Sequence, residues 1–191
     1  MEKKSILLIA IVVIAGIGVT FFILFKFFSF AKNAKENIKL TKQMSPELLK
    51  TMKHKTIDDF PYSPAAIQWE GKFLQVDGES SLDLMQESIK FTYNKQRNEA
   101  LNTHRFLSEN DINGIVWLNP GFETVGQYEG GGYASQPYYA LSFLDLKQQA
   151  ILARDTVWGG MPPKQTRNGS ETGKLPDEKD VIKLIQERTK N

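Results

Sequence analysis

Cysteine is absent from the 191 residues, and histidine occurs only twice, as His54 and His104. The first absence excludes a disulfide framework, a thiolate zinc site and a cysteine nucleophile. It suits reducing and oxidising compartments equally, so it assigns no address. With so little histidine there is no zinc cage to build in the body, and His54 stands in a lysine-rich run that repels cations. "DDF" (58–60) and "ENDING" (109–114) lack the ligand spacing of a calcium loop.

A phosphate-binding glycine loop is also missing. Such a loop leads from a strand into a helix whose N-terminal N–H groups meet the anion. "YEGGGYASQPYYA" (128–140) leads instead into Pro137 and a β-rich run, with no lysine among the glycines. Its glycines read as the reversal between two strands. "GSETGKL" (169–175) is one residue short between its glycines and carries Leu175 where a magnesium-binding Ser or Thr belongs. No cofactor is implied by any of these segments.

Charge is unevenly spread. The formal net charge of +2 conceals a stretch, 26–55, with eight lysines against two glutamates (+6). Residues 56–191 hold fourteen basic and nineteen acidic side chains (−5). A basic connector therefore precedes a mildly acidic body.

What is present in abundance is one apolar run. Ile6 to Phe25, "ILLIAIVVIAGIGVTFFILF", has no charge over 20 residues. At about 1.5 Å per residue a helix of that length crosses the roughly 30 Å hydrocarbon layer. It exceeds the apolar core of a cleavable signal, about 7–15 residues. The reading is an uncleaved single span over 6–27, preceded by a short basic tail at 1–5. A single span free of polar side chains offers no transport pathway.

Counted by lysines, Lys26, Lys32, Lys35, Lys39 and Lys42 downstream favour a cytoplasmic body. Lys3 and Lys4, abutting the span, have the layout of an N-terminal signal anchor, and moving them outward opposes the membrane potential. The body is accordingly placed outside the cytoplasm, with a cytoplasmic body as the alternative.

Residues 28–58 form the basic stalk. Lysines every three or four residues fall on one helical stripe, and Ser45 with Pro46 marks a helix start. The stripe reads as a solvated spacer, with contact to anionic lipid headgroups as its functional alternative, worth about 1 kcal/mol per lysine. Nucleic acid is not a predicted partner, since the stalk lacks aromatics for stacking.

Residues 60–191 read as a small α+β domain with an antiparallel sheet and a C-terminal helix packed on it. Ile67, Trp69, Phe73 and Leu74 suggest short strands, closed at Asp77-Gly78. Leu82, Leu84, Met85 and Ile89 suggest a helix within 80–107, with Phe91, Thr92 and Tyr93 extended. "GIVWL" (114–118) and "FETVGQY" (122–128) predict two strands separated by a turn at Asn119-Pro120-Gly121. "PYYALSFLDL" and "AILARDTVW" flank a hairpin turn at Lys147-Gln148-Gln149. Asp177 caps a helix over 177–190 with an apolar stripe at Val181, Ile182, Leu184 and Ile185.

The loop 159–176 is long enough to be functional or structureless. Its Lys164, Arg167 and Lys174 make it a candidate site for an anionic ligand or partner, with Tyr133 and Tyr138 as nearby contact residues. The leading functional expectation is a non-catalytic, membrane-tethered module that binds a protein or envelope component near the membrane. The alternative is a tethered hydrolase acting on an envelope substrate, with Ser135 as nucleophile, His104 as base and Asp111 as orienting group.

Overall fold

The structure is a computed structural model describing residues 25–26, 28–29, 31–69, 71–78, 89–164 and 169–190. Apart from Phe25 and Lys26, the expected membrane span lies outside these residues, as do Leu82, Leu84, Met85 and Arg167. Among the described residues no helix is long and apolar enough to cross a membrane.

A mixed sheet forms the centre of an α+β fold. Its strands are β1 (Phe73–Asp77), β2 (Thr92–Tyr93), β3 (Gly114–Gln127), β4 (Tyr133–Asp145), β5 (Ala150–Trp158) and β6 (Glu171–Thr172). The order is β2-β1-β3-β4-β5, with β6 beside β4. Among the described residues the sheet is accompanied by the α-helices α1 (31–41), α2 (Pro46–Met52), α3 (Lys95–Ala100) and α4 (Glu178–Thr189).

The expected all-antiparallel sheet is corrected at two places. β1 runs parallel to β3, and β6 runs parallel to β4. A parallel return needs a long crossover, and the stretch between β1 and β3 carries one that includes β2 and α3. Apolar alternation is the same for either strand direction, so it could not reveal this.

"GIVWL" carries apolar side chains to both faces. Ile115 and Trp117 join one cluster with Leu74, Val76 and Leu144, and Val116 and Leu118 join the other with Leu141 and Phe143. Both faces therefore require cover. The first is covered by Met44, Leu48, Met52 and Ile57, and the second by Val181 and Ile185 of α4. Each such side chain stabilises the fold by about 1.5–3 kcal/mol on full burial.

The stalk is thus no mere spacer. Its lysines at 32, 35, 39 and 42 do point outward, but Met44, Leu48 and Met52 are buried in the core. Helix α1 is also tied to the sheet edge. Thr41 Oγ1 accepts from the Tyr93 amide at 2.8 Å, and Asn37 Oδ1 accepts from the Lys95 amide at 3.1 Å. Glu36 pairs with Lys95 at 2.8 Å, and that hydrogen bond and charge hold the Glu36 carboxyl below its usual range. The lysine stripe masked a sparser apolar pattern behind it. Ser45 caps α2 as expected, accepting from the Leu48 amide, with Pro46 at the first helical position.

The Asn119-Pro120-Gly121 turn is a second correction, because β3 runs straight through it as one 14-residue strand. Beyond Leu118 the β1 pairing ends, so Pro120, which has no N–H to donate, lies where among the described residues no strand pairs with that edge of β3. Ile67 and Trp69 are buried but lie outside any strand. The β4–β5 hairpin, the extended Thr92–Tyr93 and the C-terminal helix form where the pattern placed them. Asp177 accepts from the Lys179 amide at 2.9 Å, and Val181 and Ile185 are fully buried.

Trp69 shows how tightly the second face is filled. Its indole lies flat over Gly114, touches Phe73 and Phe143, and donates to Asp145 at 3.2 Å. A Cβ on Gly114 would sit 2.2 Å from Trp69 Cε2. Gly114→Ala is therefore expected to destabilise the chain by about 1–3 kcal/mol through overpacking. Guanidinium denaturation followed by tryptophan fluorescence checks this, and an unshifted midpoint would contradict the packing described.

Candidate functional site

β3 and β4 outrun their neighbours. β1 pairs with β3 only as far as Leu118, and β5 pairs with β4 only from Tyr138 onward. The remaining ribbon projects as an arm and reverses at the glycine run. There the Tyr128 amide donates to Gly132 O at 2.8 Å and the Gly131 amide to Tyr128 O at 2.9 Å. Gly131 sits at φ +85°, which L side chains rarely adopt. A Cβ on Gly132 would meet the backbone of Gly169 at 2.3 Å. One glycine makes the turn, and the next admits another piece of backbone.

That backbone belongs to the loop 159–176, which lies along the arm. Its β6 pairs with Ala134 and Ser135, and the Gly173 amide donates to Ser135 O at 2.9 Å. Tyr128 Oη donates to Pro163 O at 2.7 Å, and Ser170 Oγ accepts from the Tyr133 amide at 2.9 Å. The described parts of the loop are therefore strapped to the arm and are not structureless.

The sequence-derived binding residues converge here in part. Tyr133 opens β4 and is exposed, and Lys164 and Lys174 are exposed on the strap. Tyr138 packs over Gly121 and against Trp158, with ring centroids 5.1 Å apart. Around them Phe122, Val125, Tyr133, Trp158, Met161 and Leu175 are each 40–70% exposed. Single exposed apolar residues are ordinary on a protein surface. Six on the arm, its strap and the adjoining end of β5 are a concentration of apolar surface, with the register sending Phe122 and Tyr133 to one face of the ribbon and Trp158 to the other.

The proposed catalytic trio does not assemble. His104 Nδ1 bonds to the Tyr93 hydroxyl at 2.7 Å, Asp111 pairs with Lys72 at 2.5 Å, and Ser135 lies in the arm between Thr124 and Thr172. Burial raises the Tyr93 phenol above its usual range, so it keeps its proton. Among the described residues no cluster of three or more His, Asp or Glu side chains could hold a metal ion.

A second feature has no counterpart in the sequence reading. A cleft of about 570 Å³ opens between α1 and the sheet edge. At its base Arg97, almost fully buried, is gripped by two carboxylates. Nε and Nη2 donate to Glu178 at 2.7 Å, and Nη1 donates to Asp77. Burial alone disfavours the guanidinium charge, but the Glu178 hydrogen bonds and both carboxylate charges outweigh it, so Arg97 holds its proton more tightly than in water. The Tyr139 ring lies 5.5 Å from the guanidinium. Its phenol is raised by burial and then by the Glu178 charge, so it remains a neutral donor.

Asp77 reads in sequence only as part of the turn that closes a strand, and no sequence signal singles out Glu178. They lie 20 and 81 residues from Arg97, and no local pattern links them. Comparison with protein-family models, with curated proteins and with solved structures gives no match.

Arg97 ties α3 to β1 and to the start of α4. Arg97→Met is expected to cost about 2–4 kcal/mol, because it leaves two carboxylates facing each other without their cation. Adding Glu178→Gln to Arg97→Met should recover part of that loss. A strictly additive pair in denaturation would show that the three groups are not coupled.

Proposed function

We propose that this chain is a single-pass, membrane-anchored binding module that performs no catalysis. Its α+β domain captures a protein partner or an envelope component near the membrane, through the β3–β4 arm and its strap. The observation that carries this reading is the group of six exposed apolar side chains on that arm, its strap and the adjoining end of β5. Aromatic anchors in such a patch supply most of the energy of an interface, while surrounding polar groups exclude water. Trp158, Phe122 and Tyr133 are the anchors here. Lys164 and Lys174, exposed on the strap, form a basic rim that favours an acidic partner surface, and Arg167 adds a third positive charge to the same stretch of sequence.

The uncharged run Ile6 to Phe25 supports the tether. The outward lysines of α1 lie directly after it and favour contact with anionic headgroups. Because α1 is pinned to the sheet edge, the tether holds the body in a defined attitude and not on a loose string. The body is assigned to the extracytoplasmic side.

In-cell photo-crosslinking from position 125 is expected to trap a discrete partner. Phe122→Ser with Trp158→Ser should reduce that capture about tenfold or more while leaving the denaturation midpoint unchanged. Charge reversal at Lys164, Arg167 and Lys174 should weaken it less, and more so at low salt. Undiminished capture by the Phe122→Ser/Trp158→Ser variant would remove the arm as the recognition surface. A C-terminal reporter active only outside the cytoplasm should be active, and a silent but well-expressed fusion would reverse the orientation.

A further inference from the structure

The cleft between α1 and the sheet edge is separate from the arm's apolar patch, and its lining has a definite chemical character. Its four charged side chains are already matched to one another. Glu36 pairs with Lys95 at 2.8 Å, and Asp77 pairs with Arg97, which Glu178 also grips. Asn94 adds a donor to Asp77 at 2.8 Å. A charged ligand entering here would have to break one of these pairs and leave its partner exposed to the loss.

What the cleft leaves open is neutral. Among the described residues no hydrogen bond engages the carboxamides of Asn33 and Gln96 or the hydroxyl of Tyr139, although all three line the space. Asn37 uses its Oδ1 on the Lys95 amide, and among the described residues its NH₂ finds no acceptor. Carboxamides and a phenol each offer both a donor and an acceptor, the same dual character as an alcohol. Leu118, Pro120 and the Tyr139 ring add an apolar floor. The volume, about 570 Å³, falls within the roughly 300–1,000 Å³ of small-molecule sites.

We propose that this cleft binds an uncharged saccharide. Sugar hydroxyls would exchange donors and acceptors with Asn33, Asn37, Gln96 and Tyr139, while the C–H face of a ring lies on Leu118 and Pro120. One wall is α1 and the other is the β1–β3 edge with the start of α3, so a bound saccharide bridges the helix and the body. Occupancy therefore stiffens the joint between them. This inference does not depend on the arm, nor on which side of a membrane the body lies.

The test uses the full-length chain in a zwitterionic detergent without a sugar headgroup. The probes are the N-acetylglucosamine trimer and maltotriose, with inorganic phosphate and acetate as charged controls, followed by titration calorimetry. At least one saccharide is expected to bind saturably, and the charged controls are not. Asn33→Ala and Gln96→Ala, both at the rim, should each weaken binding severalfold. Tyr139→Ala should abolish it, and Tyr139→Phe should fall between. Hydrogen exchange of the α1 amides should slow on binding. Phe122→Ser with Trp158→Ser should bind saccharide normally, which separates failure of this site from failure of the arm. Absence of binding by both saccharides, tighter binding of phosphate or acetate, or binding indifferent to Asn33→Ala and Gln96→Ala would each overturn the assignment.

Discussion

Burial of both faces of the β3 segment from Ile115 to Leu118 is the constraint on which the rest of the structure depends. A strand that sends large apolar side chains in both directions cannot leave either side to water, since each would forfeit about 1.5–3 kcal/mol. The chain meets this need from its two ends. The segment after the apolar run folds Met44, Leu48, Met52 and Ile57 onto one face, and α4 closes the other with Val181 and Ile185. The connector that begins as a basic stalk is thereby part of the core, and α1 is carried to the sheet edge with it.

Where cover stops, function becomes possible. Past Leu118 and before Tyr138 no helix among the described residues covers the β3–β4 ribbon, and its exposed side chains are aromatic or aliphatic as often as polar. Such an edge invites uncontrolled strand pairing, and the chain blunts it in recognisable ways. Pro120 removes a donor, an irregularity between Thr124 and Gly126 interrupts the ladder, and β6 occupies the β4 side. The apolar surface is therefore offered through its side chains while the backbone is protected. The cleft arises from the same geometry, because α1 reaches the sheet edge where β1 and β2 end.

Much of the local architecture was legible. The apolar stripe of α4 and the capping role of Asp177 follow from a 3.6-residue period and the orphan amides of a helix start. The β4–β5 hairpin and the reversal at the glycines follow from alternation interrupted by turn residues. Pro120 misled because proline is a turn signal in most contexts, and its tolerance depends on a missing neighbour strand that pattern does not reveal. The strap misled because a run rich in glycine and proline looks unstructured until Gly132, Gly159 and Gly173 are seen to admit close backbone contacts. Lys164, Lys174, Tyr133 and Tyr138 stand out in the sequence for their chemistry alone; the tyrosines belong to β4, and the strap is what carries the two lysines alongside it.

By itself the sequence determined the periodic features: an uncharged run of 20 residues, an outward lysine stripe, a two-sided apolar strand and a capped terminal helix. Each is a property of neighbours along the chain, and spacing encodes it. Tertiary structure alone decided strand direction, the strap on the arm, the docking of α1 and the grip of Asp77 and Glu178 on Arg97. These are contacts across 20 to 81 residues, as in the Arg97 pairs. Their partners are selected by which surfaces meet once both faces of β3 are covered, and no local period records that choice.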